Sequence, residues 1–76
     1  MDINSFINNL ADQFDDLDPG VITPETIFKE LDGWNSLVAL SVRAMVDEEY
    51  DVILMGNDII EASTVEDLYN SVLSKL

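Results

Sequence analysis

Within Gly33-Trp34-Asn35-Ser36-Leu37-Val38-Ala39-Leu40, the hydroxyl of Ser36 stands where a turn-forming stretch meets the most apolar run of the chain. A serine hydroxyl becomes a nucleophile only when a base takes its proton, and histidine is the usual base. The chain has no histidine and no cysteine. That removes the commonest general base and metal ligand, thiolate nucleophiles, thiolate metal sites and disulfides together. Lys29 and Arg43 are the cations nearest Ser36 in sequence, and one lysine is a thin basis for a serine–lysine dyad. No enzymatic activity of its own is expected of this chain. If Ser36 takes part in chemistry, a second protein must supply the base, and Ser36 is then a substrate. The plainer alternative is an ordinary helix N-cap, for which Asn35 and Ser36 both have the right short side-chain oxygen.

The elements that must hold Ser36 can be read from apolar spacing. Ile3, Phe6, Ile7, Leu10, Phe14 and Leu17 recur at intervals of three and four, which predicts a first amphipathic helix capped by Asp2 or Asn4. The acidic run Asp15, Asp16, Asp18 and then Pro19-Gly20 ends it, with fraying expected because acidic residues oppose the dipole there. From Asp18 to Asn35 no helical period survives. A long ordered loop is expected, with Val21 and Ile22 as an apolar anchor, a turn at Thr23-Pro24-Glu25, Ile27, Phe28 and Leu31 spaced to dip into a core, and Ile22, Phe28 and Leu31 as its pins.

A second helix is expected from about Ser36 to Tyr50, with Gly33 breaking whatever precedes it. Its apolar residues form two patches: Val38, Val42, Met45 and Val46 as core, and Leu37, Leu40 and Ala44 as a candidate docking face beside Arg43, Asp47 and Glu48. After a connector in which Val52 and Leu54 point inward and Gly56 closes, Asn57 or Asp58 is expected to cap a short helix holding Ile59, Ile60 and Ala62. A last helix begins at Ser63-Thr64, where Ser63-x-x-Glu66 fits a capping box and Thr64-x-x-Asp67 a weaker version. Its stripe is Val65, Leu68, Tyr69, Val72 and Leu76. The fold class is therefore all-α: a small four-helix bundle, three longer helices plus one short, with a long first loop.

Seventy-six residues suit a single domain, residues 1–76, and the initiator methionine suggests a free-standing chain. Sixteen acidic residues against Lys29, Arg43 and Lys75 give a net charge of −13. Nucleic acid and anionic membrane surfaces are disfavoured as partners, because both need cationic groups. Partners with basic patches are favoured instead. No basic leader or transmembrane-length apolar run is present, so a cytoplasmic, soluble protein without membrane insertion is expected, acting as a monomer.

Trp34-Asn35-Ser36-Leu37, a helix opening at the serine, the acidic end Asp47-Glu48-Glu49-Tyr50 and the later Ser63-Thr64-Val65-Glu66-Asp67-Leu68 together resemble an acyl carrier protein. The resemblance spans nearly the whole chain, including length, acidity and helix layout. It implies that Ser36 receives a 4′-phosphopantetheine arm from coenzyme A, attached by a separate magnesium-dependent phosphopantetheinyl transferase. It implies that the arm's thiol carries acyl groups between synthase enzymes of fatty-acid, polyketide or related biosynthesis, with aminoacyl cargo as the alternative. Asn35, Leu37, Leu40, Ala44, Asp47 and Glu48 then fall where such carriers meet partners presenting basic residues. Phe6, Phe28, Val46, Tyr50, Ile59 and Leu68 would line the space that shelters an acyl chain. Two departures stand out: Asn35 replaces the family's usual aspartate and so lacks its charge, and Arg43 puts a cation into an acidic helix.

Two other classes share the small, acidic, helical character. A calcium-binding EF-hand needs oxygen ligands at loop positions 1, 3 and 5, glycine at 6 and glutamate at 12. From Asp47 the sixth residue is Val52 and the twelfth is Asp58; a start at Asp15 sets Gly20 at six but Leu17, Pro19 and Thr26 at three, five and twelve, and a start at Asp16 misplaces the glycine. The second rival is a helical adaptor of carrier-like fold that is never modified.

Overall fold

The computed structural model describes residues 2–76. Four α-helices follow one another: α1 (Ile3–Ala11), α2 (Ser36–Tyr50), α3 (Gly56–Glu61) and α4 (Val65–Leu73). Short 3₁₀ turns at Pro19–Val21 and Phe28–Glu30 punctuate the long segment between α1 and α2. Among the described residues no strand occurs, and the one β-like feature is an isolated antiparallel bridge between Ile27 and Thr64. No helix of the described residues is long and apolar enough to cross a membrane. The expected small all-α bundle with a long first loop is the observed architecture.

The ends of the helices follow local chemistry. Asp2 caps α1, its carboxylate accepting the Ser5 N–H at 2.9 Å. The helix stops at Ala11, well short of Leu17. The approaching run of carboxylates opposes the negative end of the dipole, and the chain tightens instead through bonds from Gln13 N–H to the Leu10 carbonyl and from Phe14 N–H to that of Ala11. Those tight turns keep Phe14 on the inward course, so it is buried although it lies outside the helix.

At α3, neither Asn57 nor Asp58 is the cap. Met55 holds that position, and Asp58 reaches back to accept the Met55 N–H at 2.8 Å. At α4, Thr64 and not Ser63 forms the capping box: Thr64 Oγ1 accepts the Asp67 N–H, and the Asp67 carboxylate accepts the Thr64 N–H, each at 3.1 Å. Asp67 Oδ2 also accepts the Ser63 N–H at 3.1 Å.

The long segment is anchored to α4 by backbone. The carbonyls of Thr26 and Pro24 accept the N–H groups of Val65 and Glu66, both at 2.9 Å. Two helix-start donors that have no partner within α4 are thereby satisfied. Inside, Phe6, Leu10, Phe28, Val42, Val46, Leu54, Val65, Leu68 and Val72 are fully buried, and Ile22 and Val52 nearly so. Leu31, Val38, Tyr50 and Tyr69 pack against that core half-buried. The Phe6 ring stands 6.0 Å from that of Tyr50 and 5.5 Å from that of Tyr69, joining α1 to the end of α2 and to α4. Asn9 Nδ2 donates to the Tyr50 hydroxyl at 2.8 Å across the same seam.

Four apolar residues expected inside are exposed: Val21, Ile27, Ile60 and Leu76. Val21 ends the first 3₁₀ turn, and Ile22 alone supplies the anchor. Ile27 lies on the bridge to Thr64, Ile60 is on the outer side of a six-residue helix that has one inward face, and Leu76 lies beyond the end of α4.

Candidate functional site

The mouth of α2 is built by three residues with distinct tasks. Gly33 has φ of 91°, a left-handed conformation that costs other residues a Cβ clash. A Cβ there would meet its nearest neighbour, Phe14, at an ordinary 3.6 Å, so the requirement for glycine is conformational and not spatial. Trp34 is wedged beneath the turn, its ring 5.2 Å edge-on from Phe28 and 6.2 Å from Phe14. It is a packing residue, partly buried against the core.

Asn35 is the N-cap, its Oδ1 accepting the Val38 N–H at 2.9 Å while its carbonyl accepts the Ala39 N–H at 3.0 Å. Ser36 is the first helical residue. Of the two capping candidates the structure uses Asn35, which leaves the Ser36 side chain exposed and its hydroxyl free of hydrogen bonds. With Val38 N–H taken by the cap, the backbone N–H groups of Ser36 and Leu37 lack acceptors within the helix. They point the positive end of a 15-residue helix at the region around that hydroxyl.

The candidate docking residues Leu37, Leu40, Ala44, Asp47 and Glu48 are all exposed along α2, with Leu37 71% and Leu40 58% accessible. The opposite side carries the buried Val42, Met45 and Val46 with Val38 half-buried, so α2 has one buried and one exposed apolar side. The surface is subdivided, however. Leu40, Ala44 and Asp47 share one shallow groove with Arg43, Ile53 and Leu54. Leu37 turns toward a larger groove of about 480 Å³ with Asp15, Asp16, Leu17 and Asp32 at its rim. Glu48 lines a third with Asn9 and Asp12.

Sequence reasoning missed several neighbours. Ile53 and Met55 from the connector add exposed apolar surface next to the α2 face, at 70% and 57% accessible. An alternation of Val52 and Leu54 inward implies Ile53 outward, which is the signal that would have found it. Arg43 is held by a bond from Nε to the Leu54 carbonyl at 3.0 Å, so this cation ties the connector to α2. Ser36 itself opens onto a groove of about 430 Å³ shared with Lys29, Trp34, Asn35, Ala39, Ile59 and Ile60. Of the residues implied to shelter an acyl chain, Phe6, Phe28, Val46, Ile59 and Leu68 are packed in the core and Tyr50 is half-buried at its edge.

Compared with protein families, residues 4–72 match the one described as the phosphopantetheine attachment site. The searches of curated proteins and of solved structures gave no match.

Proposed function

Because the chain belongs to the phosphopantetheine attachment site family, whose members bear a covalent 4′-phosphopantetheine and act as carriers, we propose that it is an acyl carrier protein modified at Ser36. The observation that carries this assignment of the residue is the exposed, unbonded hydroxyl of Ser36 in the first turn of α2.

The residues present fit the group. A phosphodiester on Ser36 Oγ would lie at a helix N-terminus, where free N–H groups and the dipole favour an anion. When bound, the group supplies a thiol on a flexible arm, which this cysteine-free chain otherwise lacks. Asn35 holds the first turn without adding a negative charge next to the phosphate. Leu37, Leu40 and Ala44 offer apolar contact, while Asp47 and Glu48 attract basic residues of transferases and synthase enzymes. The extreme acidity favours acyl over aminoacyl cargo in this reading.

The deciding experiment is intact mass after incubation with coenzyme A, magnesium and a broad-specificity transferase. One added phosphopantetheine group is expected, and none on Ser36→Ala. No addition with several transferases would leave an unmodified adaptor as the better description. For the docking face, Leu37→Ala and Glu48→Lys should weaken partner binding without lowering the melting temperature; loss of folding in either would refute the two-faced assignment of α2.

A further inference from the structure

Lys29 reaches the groove of Ser36 from the 3₁₀ turn that precedes α2. Its Nζ donates to the carbonyl of Ile59 at 3.0 Å and to that of Ile60 at 2.8 Å. Both carbonyls belong to the last turn of α3, where intrahelical donors run out. The same nitrogen stands 5.6 Å from the centroid of the Phe28 ring, a fully buried residue that fixes where the stem emerges. An ammonium has three N–H donors. Two are engaged by α3, and one remains for an acceptor in the groove. The other two basic side chains are placed elsewhere: Arg43 on the Leu54 carbonyl and Lys75 at 3.3 Å from Asp58. Among the described residues Lys29 is thus the one cation lining the groove onto which Ser36 opens, in a chain of net charge −13.

We propose that Lys29 binds the phosphodiester once Ser36 is modified, its third N–H donating to a non-bridging phosphate oxygen, so that one ammonium joins the base of the arm to the C-terminal carbonyls of α3. This rests on Ser36 being the attachment residue. Its consequence is that α3, a six-residue helix, senses whether the chain is modified. The bond from Lys29 to the Ile59 and Ile60 carbonyls is polarised further when the ammonium also serves an anion, and the arm leaves the surface on the α3 side of α2.

The test compares unmodified and modified forms of the wild-type chain and of Lys29→Gln, with modification verified by intact mass. Backbone amide NMR signals of Ile59 to Ala62 should move on modification of the wild type, along with those flanking Ser36. In Lys29→Gln only the latter should move. The gain in melting temperature on modification should be about 2–4 °C larger in the wild type at low salt, and the excess should vanish at high salt. Comparing two forms of the same variant cancels the loss of the carbonyl bonds themselves. Should Lys29→Gln fail to fold, the wild-type amide signals decide alone. Mass gain with shifts confined to the surroundings of Ser36, or with equal melting gains in both chains, overturns the role of Lys29 and leaves the carrier reading intact. No mass gain in the wild type overturns both.

Discussion

Asn35 and Ser36 are neighbours of similar capping ability, and the structure gives them different work. Asn35 accepts the Val38 N–H and pins the first turn, while Ser36 stands one residue further in with a free hydroxyl. The stability cost of substitution should divide accordingly. Asn35→Ala should lose about 0.5–2 kcal/mol, the usual worth of an N-cap. Ser36→Ala should be nearly neutral, since alanine is the better former inside a helix; urea denaturation of both variants checks this. A cap role for Ser36, natural from the sequence, would have reversed the order. Gly33 carries a comparable prediction. With φ of 91° and room for a Cβ, Gly33→Ala should cost about 1–2 kcal/mol of left-handed strain. A larger loss in the same urea series would mean that space and not conformation limits the position.

At the scale of the elements, the helices are short and depend on their ends. Three carboxylates hold those ends and are pulled below the usual carboxylate range. Asp58 is lowered first by the Met55 N–H and then by Lys75, Asp67 by the N–H groups of Thr64 and Ser63, and Asp2 by the Ser5 N–H. A carboxylate whose folded-state value is depressed contributes stability above its unfolded value, and loses it as pH falls through the folded one. The caps of α1, α3 and α4 should therefore weaken below about pH 4, seen as helicity lost in circular dichroism as pH is lowered further. α2, capped by the neutral Asn35, should keep its first turn longest, and amide exchange resolved by helix would show the order. Tyr50 works in the other direction. Burial raises its hydroxyl above the usual phenol value against the bond from Asn9, so its share of stability is present below about pH 10 and is lost above it.

For the whole molecule, a charge of −13 on a compact body with a radius of gyration of 11.0 Å is the dominant long-range force. The single ion pair among the described residues, Lys75 with Asp58, relieves little of it. Added salt or a divalent cation should raise the melting temperature by screening that repulsion. A melt insensitive to both would mean that the charges are too dispersed to matter.

Much of this was legible in the sequence because it depends on local rules. The span of α2 followed from the Gly33 break and the apolar run, and its two faces from the angular positions of Val42, Met45 and Val46 against Leu37, Leu40 and Ala44. The absence of histidine and cysteine means that any chemistry at Ser36 needs a base from a second protein, and membership of the attachment family across residues 4–72 is compatible with that reading. The all-α class belongs to this level, since periodicity carries it, whereas the attachment group is implied by the family to which the chain belongs.

What the tertiary structure decided concerns pairings between segments distant in sequence. The end of α1 at Ala11 reflects competition between a helical stripe and a carboxylate run. The choice of Thr64 over Ser63 as cap is fixed where Pro24 and Thr26 present their carbonyls to the start of α4. Ile60 faces outward because a six-residue helix offers one buried side, and Lys29 reaches the last carbonyls of that helix from thirty residues away. Spacing along a chain says which face a residue occupies on its own helix. It does not say which carbonyl, from another part of the chain, will stand opposite that face. That is why the hydroxyl at the mouth of α2 is evident from the sequence, while the seating of Lys29 on the carbonyls of Ile59 and Ile60 is not.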